Sequence, residues 1–165
     1  MPIKEKRKVY NTCILPCLTY GCQTFTEKLL KKIEICQNGI ERSVIGIKRR
    51  DKIKVTKIKS TTKFKDVKTV CKTLKWKWAG HMLRDKSEKW TKIITEWYPR
   101  ECKRSKGRQI KRWEDDLKRV AGPEWIGMAR ERERWKSLEN AYVEGQAVKK
   151  IKCLRDLSVP SHPEH

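Results

Sequence analysis

The sequence predicts an all-α protein, an irregular bundle of about five to seven amphipathic helices with basic loops. Three observations lead there. Apolar residues recur at three- and four-residue steps through most of the chain; strand-like alternation is offered only by Ile53, Lys54 and Val55; and helix breakers (Pro16, Gly21, Pro99, Gly122 and Pro123) separate the periodic stretches.

In chain order, the apolar segment from Lys8 to Cys22 reads as a short helix interrupted by Pro16 and ended by Gly21. Thr24, with Glu27 three residues on, forms a candidate capping box for a helix carrying Leu29, Ile33, Cys36, Ile40, Val44 and Ile47. The stretch after Arg49 suits either a strand or a short basic helix, and helix is preferred. A basic amphipathic helix follows from about Asp66 to Leu83, with Val67, Val70, Cys71, Leu74, Trp78 and Met82 on its apolar stripe. Ser87 is the expected N-cap of a short helix bearing Trp90, Ile93, Ile94 and Trp97, stopped by Pro99. Residues 99–109 form a basic loop. Ile110, Trp113, Leu117 and Val120 restart the helical period until Gly122 and Pro123, and Trp125, Met128, Trp135, Leu138 and Tyr142 define a final helix. The tail after Gly145 is expected to fray.

Composition narrows the function. Lys plus Arg number 42 against 20 Asp plus Glu, a formal charge of +22, so a polyanion is the expected partner. No apolar stretch approaches a membrane span and the N-terminus lacks a signal-peptide core, so the chain is expected to be intracellular, nuclear or cytoplasmic, with no membrane partner. Seven irregularly spaced cysteines argue for reduced thiols rather than a disulfide framework. Seven Trp against two Phe supply either buried area at helix junctions or faces for stacking bases.

Several residues invite chemistry and meet a simpler explanation. Asp115 and Asp116 could imitate a metal-holding polymerase pair, but on a helical period they serve the helix N-terminus and can pair with Arg112 or Lys118. Cys13, Cys17, Cys22 and Cys36 lack zinc-site spacing. His81 has no acid or thiol partner placed beside it and reads as a structural imidazole. Catalytic residues, metal, cofactor and small-molecule substrate are therefore all expected to be absent. Trp76 and Trp78 lie on different helix faces; Trp78 belongs to the apolar stripe, and Trp76 is freer to pack on a neighbouring helix or stack on a base. The candidate nucleic-acid contacts are Lys68, Lys72, Lys75, Trp76, Arg84, Arg100, Lys103, Arg104, Lys106, Arg108 and Arg112.

Three blocks in order, LTYGCQTFT, LKWKWAGHMLRD, and GRQIKRWEDDLKRVAG with EWIGMARERERWKSLENAY behind it, resemble the region downstream of the palm in RTE or jockey-like non-LTR retrotransposon endonuclease–reverse transcriptases. The resemblance runs from about Leu18 to Tyr142. Tyr20 and Gly21 match a thumb block in which Gln23 and Phe25 replace the usual acid and Trp. Trp76, Trp78, Ala79, Gly80, His81 and Arg84 match a W-x-W-A-G-H-x-x-R pattern. Gly107, Arg108, Arg112, Trp113, Asp115 and Asp116 follow, with Gln109 where Pro is common, and Ala129, Arg132 and Trp135 match A-x-x-R-x-x-W.

Periodicity, composition and the resemblance together divide the chain into a partial thumb-like helical segment over 1–48, a basic helical segment with the WKWAGH block over 49–98, a basic loop with two Trp-rich helices over 99–145 and a flexible tail over 146–165. The resemblance also implies a non-enzymatic fragment that grips RNA or DNA, since the family's polymerase and nuclease carboxylates lie in regions upstream of those matched. Association with an intact element-encoded polymerase would follow from the same resemblance. Two alternatives stay open: a translated remnant of a mobile element without function, and a helix-turn-helix DNA-binding protein whose helix after Gly107 enters the major groove.

Overall fold

The computed structural model describes residues 1–87, 89–97 and 112–145, and every regular element among them is helical, as the periodicity predicts. The expected basic loop residues Arg100, Lys103, Arg104, Lys106 and Arg108 and the tail 146–165 lie outside the described residues. The chain divides into two compact units, 1–75 and 76–165.

The first unit begins with α1 (Ile3–Val9), a π-helical stretch over Tyr10–Ile14 and α2 (Leu15–Leu18). Pro16 does not interrupt this path as expected. It sits in the first turn of α2, directly after the π stretch, and that widening relieves the clash of a Pro ring with the preceding turn. Gly21, at φ +66°, ends the segment as its position suggests.

Helix α3 spans Glu27–Ile45, and its N-cap is Thr26 rather than Thr24: the Thr26 hydroxyl accepts the Leu29 N–H at 3.4 Å, while Thr24 donates to the Gly21 carbonyl. At the far end Gly46 adopts φ +78° and Ile47 N–H reaches the Arg42 carbonyl, a Schellman stop. The buried face of α3 is rotated from the predicted stripe. Cys36 is exposed, and Gln37 and Glu41 are buried. Gln37 donates to Glu41 Oε1 (2.8 Å) and the Lys65 carbonyl, and accepts from the Val67 N–H (2.8 Å), while Thr62 donates to Glu41 Oε2. These bonds tie α3 to α4 (Val55–Thr62) and to the start of α5 (Val67–Arg84), satisfying polar groups that burial would otherwise penalise. Around them Tyr10 stacks on Phe64 at 4.3 Å, and Leu15, Cys22, Val67 and Cys71 complete the apolar core.

The second unit is built on tryptophan. The later part of α5 packs with α7 (Asp115–Ala121), α8 (Trp125–Arg130), α9 (Arg132–Ser137) and α10 (Glu139–Glu144) around Trp76, Leu117, Trp125, Trp135 and Tyr142. Trp76 and Trp135 lie face to face, 3.7 Å apart and 4° from parallel. Each indole N–H donates to the other residue's carbonyl, at 3.0 and 2.9 Å. The approach requires Gly80, since a Cβ there would stand 2.6 Å from Trp135 Cδ1 and Nε1. Trp78, Trp113 and Trp125 continue the aromatic packing edge to face.

The predicted final helix is three short ones. At about 100° per residue a straight helix would put Ala129 and Leu138 on opposite sides, yet both are buried. An extended Glu131 (ψ 105°) and a bend at Leu138 re-aim the chain so that both face inward. The expected helix from Ile110 starts, within the described residues, at Asp115 and stops at Gly122 as predicted.

Helix α6 (Trp90–Glu96) has Lys89 rather than Ser87 at its N-cap; Ser87 donates to Asp85, whose carboxylate also holds Lys89 at 2.6 Å.

Candidate nucleic-acid interface

A phosphate-binding surface requires cations that reach solvent, and the predicted residues divide on that test. Lys68 and Lys72 are half-buried on α5, and Arg112 is exposed. Lys75 is 7% exposed, too enclosed for its ammonium to meet a phosphate while the helix keeps its packing. Arg84 spends its guanidinium within the unit: Nη1 donates to the Ala129 carbonyl at 2.6 Å, and burial together with the nearby Arg132 pushes its pKa below the ordinary value. Trp76 is wholly buried, and both neighbours on its ring, Trp135 and Tyr142, are protein. It has no face left for a base. Of the two roles the sequence leaves open for it, packing on a neighbouring helix and stacking on a base, the structure shows the first: its ring packs on Trp135 of α9, and the small residues Ala79 and Gly80 on that side of α5 admit the approach.

The WKWAGH and A-x-x-R-x-x-W blocks are therefore two halves of one packing joint. Trp76, Gly80 and Arg84 on α5 meet Ala129 and Trp135 on α8 and α9. His81, between them in sequence, is exposed in the last turn of α5.

The densest described basic segment was not among the predicted contacts. Lys48, Arg49, Arg50, Lys52, Lys54 and Lys57 are all exposed within ten residues containing one acid, Asp51. Asp51 accepts the Lys48 N–H at 2.8 Å and closes a 3₁₀ turn over Arg49–Asp51, which fans the side chains outward. Its sequence signal is the run KRRDKIKVTK, six basic residues in ten.

The acidic residues have structural roles. Asp115 accepts the Arg112 N–H (2.7 Å), Asp116 accepts the Tyr142 hydroxyl (2.7 Å), and Glu114 holds Lys118 (2.7 Å) and the Trp125 indole. The carboxylates of Asp115 and Asp116 thus bind protein donors at the start of α7, as the electrostatic explanation anticipates. Cys13, Cys17 and Cys36 are exposed and Cys22 and Cys71 buried, and among the described residues no group of three His, Cys, Asp or Glu side chains is placed to share a metal ion. No described helix is long and apolar enough to cross a membrane.

The chain is similar to a Caenorhabditis elegans protein described as transposon-derived and uncharacterized, with 31% identity over 148 residues, covering 80% of this chain and 53% of the relative. It thus spans about half the length of that relative. The similarity is consistent with a mobile-element origin. No protein-family model matches the chain, and no solved structure does.

Proposed function

We propose that this chain is a nucleic-acid-binding fragment of a retrotransposon reverse transcriptase, gripping the backbone of RNA or DNA without polymerising by itself. The observation that carries the reading is the exposed Lys48–Lys57 cluster in a chain of formal charge +22. Such a surface displaces condensed counterions from phosphates and holds the backbone with little base discrimination. The transposon-derived relative supports the mobile-element part of the proposal, and the block resemblance supports its assignment to the region beyond the palm.

The test is fluorescence anisotropy with labelled single-stranded RNA and duplex DNA between ~50 and ~200 mM salt. Affinity should fall linearly on logarithmic axes, and replacing Lys48, Arg49, Arg50, Lys52, Lys54 and Lys57 by Ser should reduce the slope by roughly 0.7 per lost contact on a single strand and about 0.9 on duplex. No binding at low salt, or a slope unaffected by salt, overturns the reading. The remnant alternative keeps one observation in its favour, the transposon-derived relative; a thermal melt without a cooperative transition would support it. A helix-turn-helix reading fits less well, since α7 is seven residues long and Glu114, Asp115 and Asp116 would meet phosphates at its start.

A further inference from the structure

Helix α6 is amphipathic in the wrong sense for a folded core. Trp90, Ile93, Ile94 and Trp97 follow the i, i+3, i+4, i+7 rule of a buried stripe, yet they are 77, 43, 66 and 68% exposed. The polar residues instead hold the helix in place: Thr95 donates to Met82 Sδ, Lys92 to the Asp85 carbonyl, and Glu96 pairs with Arg130. The other five Trp residues are buried or half-buried in the aromatic core. Of the tryptophans, Trp90 and Trp97 are the two that present most of their surface to solvent.

Seven residues apart on a helix, the two side chains point to the same side with a rise of about 10 Å. Trp97 keeps this register as the C-cap because its N–H bonds the Ile93 carbonyl at 2.8 Å. Next to the helix in sequence, the described residues Lys86, Lys89 and Lys92 stand against Asp85 and Glu96, in a chain of formal charge +22. Among the described residues, the carboxylates near the helix are neutralised, Asp85 by Lys89 and Glu96 by Arg130. An aromatic pair in a cationic setting matches a single-stranded polyanion with exposed π faces, and a second copy of so basic a chain would be repelled.

We infer that Trp90 and Trp97 form a stacking platform for unpaired bases of single-stranded RNA or DNA, with Ile93 and Ile94 as the apolar floor between them. The inference rests on the proposed nucleic-acid binding and adds to it a preference for single strands, because bases inside a duplex present no free face to an indole.

The test uses the full chain and its Trp90→Ala/Trp97→Ala variant, with Trp90→Phe/Trp97→Phe as the conservative pair. An oligouridylate and a duplex DNA of matched charge are titrated at several salt concentrations. Since all four side chains of the stripe are largely outside the core, far-UV circular dichroism and the thermal melt should be unchanged. At roughly 1 kcal/mol per stacked base, the Ala pair should lose about 30-fold in single-strand affinity, keep the wild-type salt slope and bind duplex as before. The Phe pair should recover most of the loss. Equal single-strand affinity of wild type and Ala pair, with the salt dependence intact, overturns the platform while leaving backbone binding in place. No binding of either nucleic acid by wild type overturns both. A wild-type dimer in sedimentation that the Ala pair dissociates, or Trp-dependent binding to phosphatidylserine vesicles but not to oligouridylate, assigns the stripe to another partner and also overturns the platform.

Discussion

Replacing Gly80 by Ala probes the joint between the two most distinctive sequence blocks. In an ordinary helix interior Gly→Ala stabilises by about 0.5–1 kcal/mol through reduced unfolded-state entropy. At Gly80 the added Cβ falls 2.6 Å from two atoms of the Trp135 indole. The ring cannot slide sideways without losing its 3.7 Å stack on Trp76 and the 2.9 Å bond from its Nε1 to the Trp76 carbonyl. Overpacking of a tight core costs about 1–3 kcal/mol, and a buried N–H left without its acceptor costs about 1–3 kcal/mol more. Arg84 Nη1, 2.8 Å from the new methyl, is the end of a flexible side chain and adds little. The net expectation is a loss of about 3 kcal/mol, with a weakened near-UV dichroism signal from the indole pair. Gly127 in α8 is the internal control, because nothing lies within 4 Å of a Cβ there, and its Ala variant should gain a few tenths of a kcal/mol up to about 1. Urea denaturation of the full chain measures both. If Gly80→Ala matches or exceeds wild-type stability while Gly127→Ala gains, the packing argument is wrong.

Tyr10 is 1% exposed and its hydroxyl has no hydrogen-bond partner among the described residues; burial, and then the charge of Glu41, push its pKa well above the ordinary value. Tyr10→Phe should keep the stack on Phe64 and raise stability by about 1 kcal/mol in a urea melt, and a loss of that size would show the hydroxyl to be bonded. At Asp66, burial opposes ionisation, but the hydrogen bond from Lys59 and those from Thr69 hold the carboxyl below its ordinary 3.8. A depressed carboxyl contributes stability above the unfolded value and loses it as pH falls through the folded one, so stability should drop below about pH 4 and Asp66→Asn should flatten that acid limb in melts recorded against pH. An Asn variant with the wild-type acid profile would remove Asp66 from the account.

Helical class and most element positions were legible because the signals that set them are local: apolar steps of three and four, and glycines free to adopt positive φ at Gly21 and Gly122, although the stop at Gly46 lies inside the stripe that the sequence extends to Ile47. What escaped were features decided by partners distant in sequence. Gln37 and Glu41 read as the polar side of α3, and they are buried because Thr62, Lys65 and Val67 bring matching groups to them. Glu131 carries no helix-breaking signature; the chain opens there because Ala129, Trp135 and Leu138 must share one interior. For the candidate site, charge composition points toward a polyanion but does not tell which cations reach solvent: Lys68, Lys72 and Arg112 do, and three other candidates are buried or bonded within the fold. Lys75, Trp76 and Arg84 lie on a helix enclosed on more sides than one apolar stripe reveals, while Arg49 and Arg50 stand exposed in a turn that carries no helical period.

The burial of Trp76 has a general physical reason. A block such as WKWAGH stands out because it combines large aromatics with small residues at fixed spacing, and close packing of an indole against a backbone demands that combination. Gly80 admits the ring, Ala79 keeps the surface flat, Trp76 supplies the second indole and a carbonyl, and Arg84 ties down the neighbouring turn. Altering one member leaves a clash or an unsatisfied buried group, so the pattern is rigid. Phosphate contacts face no such demand: a lysine one turn away reaches the same backbone through water and flexible methylenes. The WKWAGH and A-x-x-R-x-x-W blocks are therefore explained by the packing of the second unit, whereas the proposed binding residues, Lys48 to Lys57 with Trp90 and Trp97, lie on surfaces where charge and exposed aromatic area, rather than one fixed geometry, are what binding would require.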